Sequence, residues 1–176
     1  MKLWARREGF TIVELLIVIV VIAILAAITI VAYNGIQQRA RDAQRVTDVA
    51  SILKSLEAYR AVNDVYPTAT SISGSGSYEF STETSGTFME YLVPTYFGKT
   101  PVDPINDGTR FYRYYRYTPN TMATYGCPGR GGLMVLYAFG FENAASMPVS
   151  DPAVTCGSQS WSGGSTYLFR ARFENG

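Results

Sequence analysis

The chain has 176 residues and a net charge of +1, from 15 Lys and Arg against 14 Asp and Glu, so charge gives no argument for a polyanionic partner. Only 16% of its residues are charged, against roughly 25% in ordinary soluble chains, while 47% are hydrophobic and 14% aromatic. Histidine is absent, which excludes Ser-His-Asp and Cys-His catalysis and His-ligated zinc, because no other side chain supplies an imidazole. The length allows one domain plus an appendage.

The shortage of charge is local. Leu15 to Ala32 is apolar apart from Thr29, and a helix from Phe10 to Ala32 rises about 34 Å at about 1.5 Å per residue, enough for a bilayer core of roughly 30 Å. Val and Ile disfavour helix slightly in water, but lipid forces every backbone N–H and C=O to be satisfied within the segment. The Leu, Ile and Val side chains contribute about −4 to −8 kcal/mol to insertion, more than the cost of about 3 kcal/mol for one mid-membrane carboxylate, here Glu14. A secretory signal peptide also combines basic residues, an apolar run and small residues, here Ala23, Ala26 and Ala27. The run exceeds a usual signal core and passes unbroken into further helix, which favours a retained anchor. Lys2, Arg6 and Arg7, offset by Glu8 alone, place the N-terminus in the cytoplasm by the positive-inside rule.

Beyond the anchor, Ile36, Ala40, Ala43, Val46, Val49, Ala50, Leu53, Leu56 and Tyr59 recur at three- and four-residue steps. Arg39, Arg41, Asp42, Arg45, Asp48, Lys54 and Glu57 fill the other positions, giving an amphipathic helix with one apolar stripe. Pro67 stops it at about Asn63 to Tyr66. With no proline between Phe10 and Tyr66, one helix of about 80 Å is expected. Asn34-Gly35 is its weakest point, since a mid-helix glycine costs about 1 kcal/mol relative to alanine.

Gly9-Phe10-Thr11-Ile12-Val13-Glu14-Leu15-Leu16, after a short basic leader and before the apolar run, resembles the N-terminus of type IV pilins and type II secretion pseudopilins. The resemblance covers Met1 to about Pro67. It implies cleavage between Gly9 and Phe10 by a prepilin peptidase, N-methylation of the new Phe10 amine, and a role for Glu14 in filament assembly, where its carboxylate attracts the N-terminal amine of a neighbouring subunit. A charge partner in a packed core of anchors relieves the cost of an unpaired carboxylate in hydrocarbon; the alternative is a Glu14 that faces water at the headgroup level. Many family members carry a helix-bending proline where this chain has Val31, so Gly35 is the candidate for a loosened stretch. The expected division is a leader at 1–9, a transmembrane and polymerisation helix at 10–33, an amphipathic helix at 34–66, and a β-rich head at 67–176 with a C-terminal disulfide loop. The fold class is α+β and pilin-like, a long N-terminal helix packed on a small antiparallel sheet. The implied partners are other copies in a helical homopolymer, other pilin subunits, the prepilin peptidase and methyltransferase, the assembly platform with its ATPase, and the membrane. No cofactor is implied.

In the head, Ser71 to Ser77 reads as a Ser/Gly loop, and Thr87 as the cap of a short helix through Phe88, Met89, Glu90, Tyr91 and Leu92, ended by Pro94. Strands follow. In Arg110 to Thr118, Phe111, Arg113, Tyr115 and Tyr117 share one face and Arg110, Tyr112, Tyr114 and Arg116 the other. Leu133 to Phe141 is apolar on both faces, as a central strand is. Tyr167, Phe169, Ala171 and Phe173 alternate with Leu168, Arg170 and Arg172, as in a strand with one wet face.

Cys127 and Cys156 are the only cysteines. Outside the cytoplasm an even pair is expected to form a disulfide, worth about 3.5 kcal/mol by loop closure; free thiols or a metal pair are the rival readings, the latter an incomplete zinc site. The pair also resembles the C-terminal disulfide loop of many type IV pilins. Arg110-Phe-Tyr-Arg-Tyr-Tyr-Arg-Tyr117 mixes cations and aromatics as nucleic-acid surfaces do, but strand alternation splits the arginines and favours aromatic sheet packing. Asp103-Pro104-Ile105-Asn106-Asp107-Gly108 resembles a loop that holds calcium in some pseudopilins, yet its spacing is not an EF-hand and reads as an Asx-type turn. Arg130-Gly131-Gly132 reads as a turn. Trp161 is either an exposed contact or a plug over the core.

The expected function is structural and not enzymatic: a type IV pilus subunit serving adhesion, motility or DNA uptake, in the inner membrane before assembly and in an extracellular pilus afterwards. A type II secretion pseudopilin is the near alternative, for which a head disulfide is less expected. A single-pass anchored enzyme is the distant one, with no nucleophile motif, phosphate loop or metal cluster behind it.

Overall fold

A computed structural model describes residues 9–69, 78–82 and 88–175. The charged leader residues Lys2, Arg6, Arg7 and Glu8, the Ser71 to Ser77 loop and the Thr87 cap lie outside the described residues. The chain forms two compact units, divided between Gln38 and Arg39, and the helix α1 (Ile12–Asn63) contributes to both.

In the first unit α1 is continuous through Asn34-Gly35, and its large apolar side chains from Ile12 to Ile30 are exposed. Its most apolar 18-residue window is long and apolar enough to cross a membrane, and none of it is buried within the chain. Thr29, the polar residue inside the run, turns its hydroxyl back to donate to the Leu25 carbonyl at 2.7 Å, which hides the group that hydrocarbon would otherwise penalise.

The second unit joins the remainder of α1 to a four-stranded antiparallel sheet. Its elements in chain order are β1 (Glu79–Phe80), a single 3-10 turn at Glu90–Leu92, β2 (Tyr112–Tyr117), α2 (Pro119–Thr124), β3 (Leu133–Phe139), a 3-10 turn at Ala144–Ser146, β4 (Val154–Cys156), β5 (Gln159–Trp161) and β6 (Tyr167–Phe173). Spatial order in the sheet is β1-β2-β3-β6, with Tyr115 opposite Val135 and Val135 opposite Ala171, while β4 and β5 form a separate hairpin. Two apolar layers follow. Val49, Ile52 and Leu56 of α1 pack on Tyr112, Tyr114, Met134, Leu136, Ala138 and Leu168. On the other face Leu133, Val135, Tyr137, Phe169 and Ala171 pack under Met122 and Trp161. Covering on both faces is why β3 reads as a continuous apolar run.

Several expectations are corrected. The buried face of α1 in this unit runs through Asp42, Arg45, Val49, Ile52 and Leu56, whereas Ala40, Ala43 and Ala50 are exposed. Counting apolar residues assigned Asp42 and Arg45 to the wet side, but each is buried because the other and two distant loops satisfy its charge. The segment at Phe88 to Leu92 is a turn whose 3-10 part is Glu90–Leu92, preceded by Met89 in the left-handed region at φ 52°. Three strands were expected; β1 and the β4–β5 hairpin add to them.

α1 ends as the sequence implies. Asp64 takes φ 61° and its N–H bonds the Arg60 carbonyl at 2.8 Å, a left-handed helix stop followed by Pro67. At the opposite boundary of the sheet two outward N–H groups in the middle of β6 are already used. Phe169 N donates to Ser150 Oγ at 3.1 Å and Ala171 N to Asp151 Oδ2 at 3.0 Å, while Asp151 N donates to the Phe169 carbonyl at 3.1 Å.

Candidate functional site

The segment singled out by its sequence starts α1. Phe10 is 88% exposed. Thr11 precedes the first helical residue and its side chain accepts from Glu14 N at 3.2 Å. In return the Glu14 carboxylate takes two bonds on one oxygen, Oε2: from Thr11 N at 2.8 Å and from Thr11 Oγ1 at 2.7 Å. This is a capping box, with threonine and glutamate three residues apart closing each other's orphan groups at a helix N-terminus. Thr11 is not among the residues the leader motif singles out, although Thr-x-x-Glu before an apolar run is the sequence signal of such a cap. Gly9, Phe10 and Glu14 therefore stand together at the exposed start of an uncovered apolar helix.

In the second unit a charged cluster fastens α1 to two loops. Arg45 is fully buried and every guanidinium nitrogen is engaged: Nε with Asp103 Oδ2 at 2.6 Å, Nη2 with Asp103 Oδ1 at 3.1 Å, and Nη1 with Asp42 Oδ1 at 2.8 Å and Glu142 Oε1 at 3.2 Å. Asp42 also accepts from the backbone N–H of Glu142 and Asn143 and from the Ser146 hydroxyl. Arg41 grips Glu142 with two 2.6 Å bonds, and chiefly for that reason the Glu142 carboxyl is lowered to about 2. Burial works against the charge of Arg45, but the bonds to Asp103, Asp42 and Glu142 outweigh it and hold the guanidinium above its ordinary pKa.

Asp103 answers the question posed by its loop. Its Oδ1 accepts from Ile105 N at 2.9 Å and Asn106 N at 3.2 Å, and both oxygens face Arg45. Asp107 Oδ1 caps Thr109 N and Arg110 N at 2.8 Å each. These are Asx-type turns whose carboxylates already have partners. Among the described residues no group of three His, Cys, Asp or Glu is placed to hold a metal ion.

The arginines of β2 and its flank are likewise engaged. Arg110 pairs with Asp107 at 2.9 Å and Arg116 forks onto Glu174 at 2.6 and 3.0 Å. Arg113 lies over the rings of Tyr78, Tyr137 and Phe139, 4.3 to 5.0 Å from their centroids. The mixture of cations and aromatics is thus sheet packing. Arg130 of the Arg-Gly-Gly turn stacks 3.8 Å above Phe173, beside Gly131 at φ 73°. Trp161 is 6% exposed, 5.0 Å from the Tyr117 ring, and donates to its hydroxyl at 3.0 Å, so it plugs the second apolar layer. Cys127 and Cys156 are joined, with Cα atoms 5.4 Å apart, which ties the chain after α2 to the β4–β5 hairpin.

The family described as "Prokaryotic N-terminal methylation motif" matches residues 4–30. Similar proteins include type II secretion system core protein G of Vibrio cholerae serotype O1, 34% identical over 68 residues, which is 39% of this chain and 47% of that protein. The Escherichia coli K12 protein of the same name is 31% identical over 68 residues, again 39% and 47%. That of Dickeya chrysanthemi is 28% identical over 99 residues, 56% of this chain and 63% of the relative. The chain therefore spans from about half to less than two thirds of these relatives' own length. No solved structure matches. With the methylation motif, these relatives and a long helix ahead of a small antiparallel sheet, the chain fits the family of type IV pilins and type II secretion pseudopilins, which are structural subunits and not enzymes.

Proposed function

We propose that this chain is a pseudopilin-type subunit that is cleaved between Gly9 and Phe10, methylated at the new Phe10 amine, anchored through α1 and polymerised by packing that helix against copies of itself. The single observation that carries the reading is the coincidence of the matched motif with an apolar helix that nothing among the described residues covers. An exposed apolar surface of that length needs lipid or other helices around it. Glu14 then meets the amine of a neighbouring subunit in a low-dielectric core, where an opposite charge offsets its desolvation. The head lies on the far side of the membrane from the N-terminus, where its disulfide persists.

A type II secretion pseudopilus is the better supported setting, because the relatives reported above are named as type II secretion system core protein G. The Cys127–Cys156 loop favours a second reading, a type IV pilus subunit, since a closed head loop resembles that of many type IV pilins. Expression in a strain lacking its own core protein G separates the two: restored secretion supports the pseudopilin, and surface filaments without restored secretion support the pilus subunit. Glu14→Ala tests the assembly role common to both. Its expected result is normal membrane retention with strongly reduced recovery in filaments, and normal filaments would overturn the role.

A further inference from the structure

The carboxylate proposed for assembly is not free to turn. We propose that Thr11 is a positioning residue for Glu14, fixing which of its two oxygens is offered to a neighbouring subunit; this rests on the assembly role given to Glu14 above. Both donors of Thr11, the backbone N–H and the hydroxyl, converge on Oε2 at 2.8 and 2.7 Å. The hydroxyl in turn accepts from Glu14 N at 3.2 Å. Two of the three bonds between these residues end on the carboxylate and hold the glutamate side chain, which otherwise rotates about three bonds, while the third fixes the Thr11 hydroxyl that makes one of them. None of them uses Oε1, which is left for an ammonium donor.

Cleavage between Gly9 and Phe10 creates an amine one residue before Thr11 and leaves the amide N–H of Thr11 unchanged. The capping box is therefore the same before and after processing, and the carboxylate arrives at assembly already oriented. An ammonium approaching Oε1 meets a carboxylate whose second oxygen is saturated, so the pair forms without reordering Glu14. Thr11 is distinguished from an ordinary helix cap by its hydroxyl, which donates to the carboxylate while accepting from the helix.

The test uses the full chain in cells that assemble it, and reads the fraction of cleaved chain recovered in sheared filaments, so that a processing defect does not enter the ratio. Thr11→Val removes the hydroxyl at nearly constant volume and is expected to lower that fraction about tenfold, the loss of a charge-assisted hydrogen bond. Thr11→Ser is expected to restore it to within about twofold. Thr11→Gly keeps most of the capping preference but has no hydroxyl, and is expected to behave as Thr11→Val. In a Glu14→Ala background Thr11→Val is expected to have no further effect. Recovery of Thr11→Val or Thr11→Gly at the original level overturns the proposal, as does an additive loss in the Glu14→Ala background. Normal recovery of Glu14→Ala alone overturns the underlying assembly role instead, whatever Thr11 does.

Discussion

Along the first unit of α1 the apolar side chains stand open, Leu15 at 60% and Ile28 at 65% exposed, whereas in the second unit even the guanidinium of Arg45 is sealed from water. One stretch of helix keeps its surface for something outside the chain, and the other spends nearly all of its buried surface on this chain's own sheet and loops. The difference shows in the polar groups. Thr29 and Glu14 satisfy themselves within one or two turns of their own helix. Asp42 and Arg45 instead reach residues about a hundred and about sixty positions away. Exposure of apolar atoms in a protein of this kind is thus a property of a segment and not of the whole surface.

Removing Arg45 is the strongest way to break the contrast. Arg45→Ala leaves Asp42 and Asp103 buried without their counter-ion, and is expected to cost about 3–5 kcal/mol. Denaturant unfolding of the detergent-solubilised chain, followed by near-ultraviolet circular dichroism, measures this, with membrane retention unchanged. Replacing both Cys127 and Cys156 by serine comes next, at about 3.5 kcal/mol in the chain-entropy account, read by the same unfolding curve and absent when the original protein is first reduced. Acid acts more gently. Glu142 is held at about 2, chiefly by the Arg41 guanidinium, against an ordinary value of 4.5. A carboxylate depressed on folding gives stability that is complete above its unfolded pKa and is lost as the pH falls through the folded one. The second unit should therefore weaken between about pH 4.5 and pH 2, and an Arg41→Met variant should show a shallower decline in a pH series of melting curves. The smallest effect sharpens the first unit: a Cβ added at Gly35 meets nothing within 4 Å, so Gly35→Ala should gain about 1 kcal/mol of helix stability. Hydrogen exchange at residues 33 to 38 should then slow by about fivefold.

What the sequence disclosed followed the physics of each region. Lipid imposes a helix on any sufficiently long apolar run, so the anchor was legible from composition alone. Pro67 and the two-sided apolar run of Leu133 to Phe141 marked the end of α1 and the central strand, which itself stops at Phe139, for equally local reasons. The charged cluster was not legible. Hydropathy periodicity counts Asp42 and Arg45 as wet, and only their partners at Asp103 and Glu142, 58 and 97 residues beyond Arg45, make their burial affordable. The β4–β5 hairpin was hidden by its Ser and Gly content, and Trp161 stayed ambiguous until its ring was found against Tyr117. The Thr11–Glu14 capping box is written in the Thr-x-x-Glu spacing ahead of an apolar run, a purely local signal.

Ser150 and Asp151 occupy two outer N–H groups in the middle of β6, and this bears on crowding. In the filament proposed above, copies held side by side would bring their sheets to a local concentration far above that of a dilute protein, where a bare seven-residue strand is an invitation to zip one sheet onto the next. Here two adjoining side chains and one amide already fill those places at Phe169 and Ala171. The middle of that edge is thereby closed to a neighbour's strand, which leaves too short a free stretch on either side to seed a continuous ribbon.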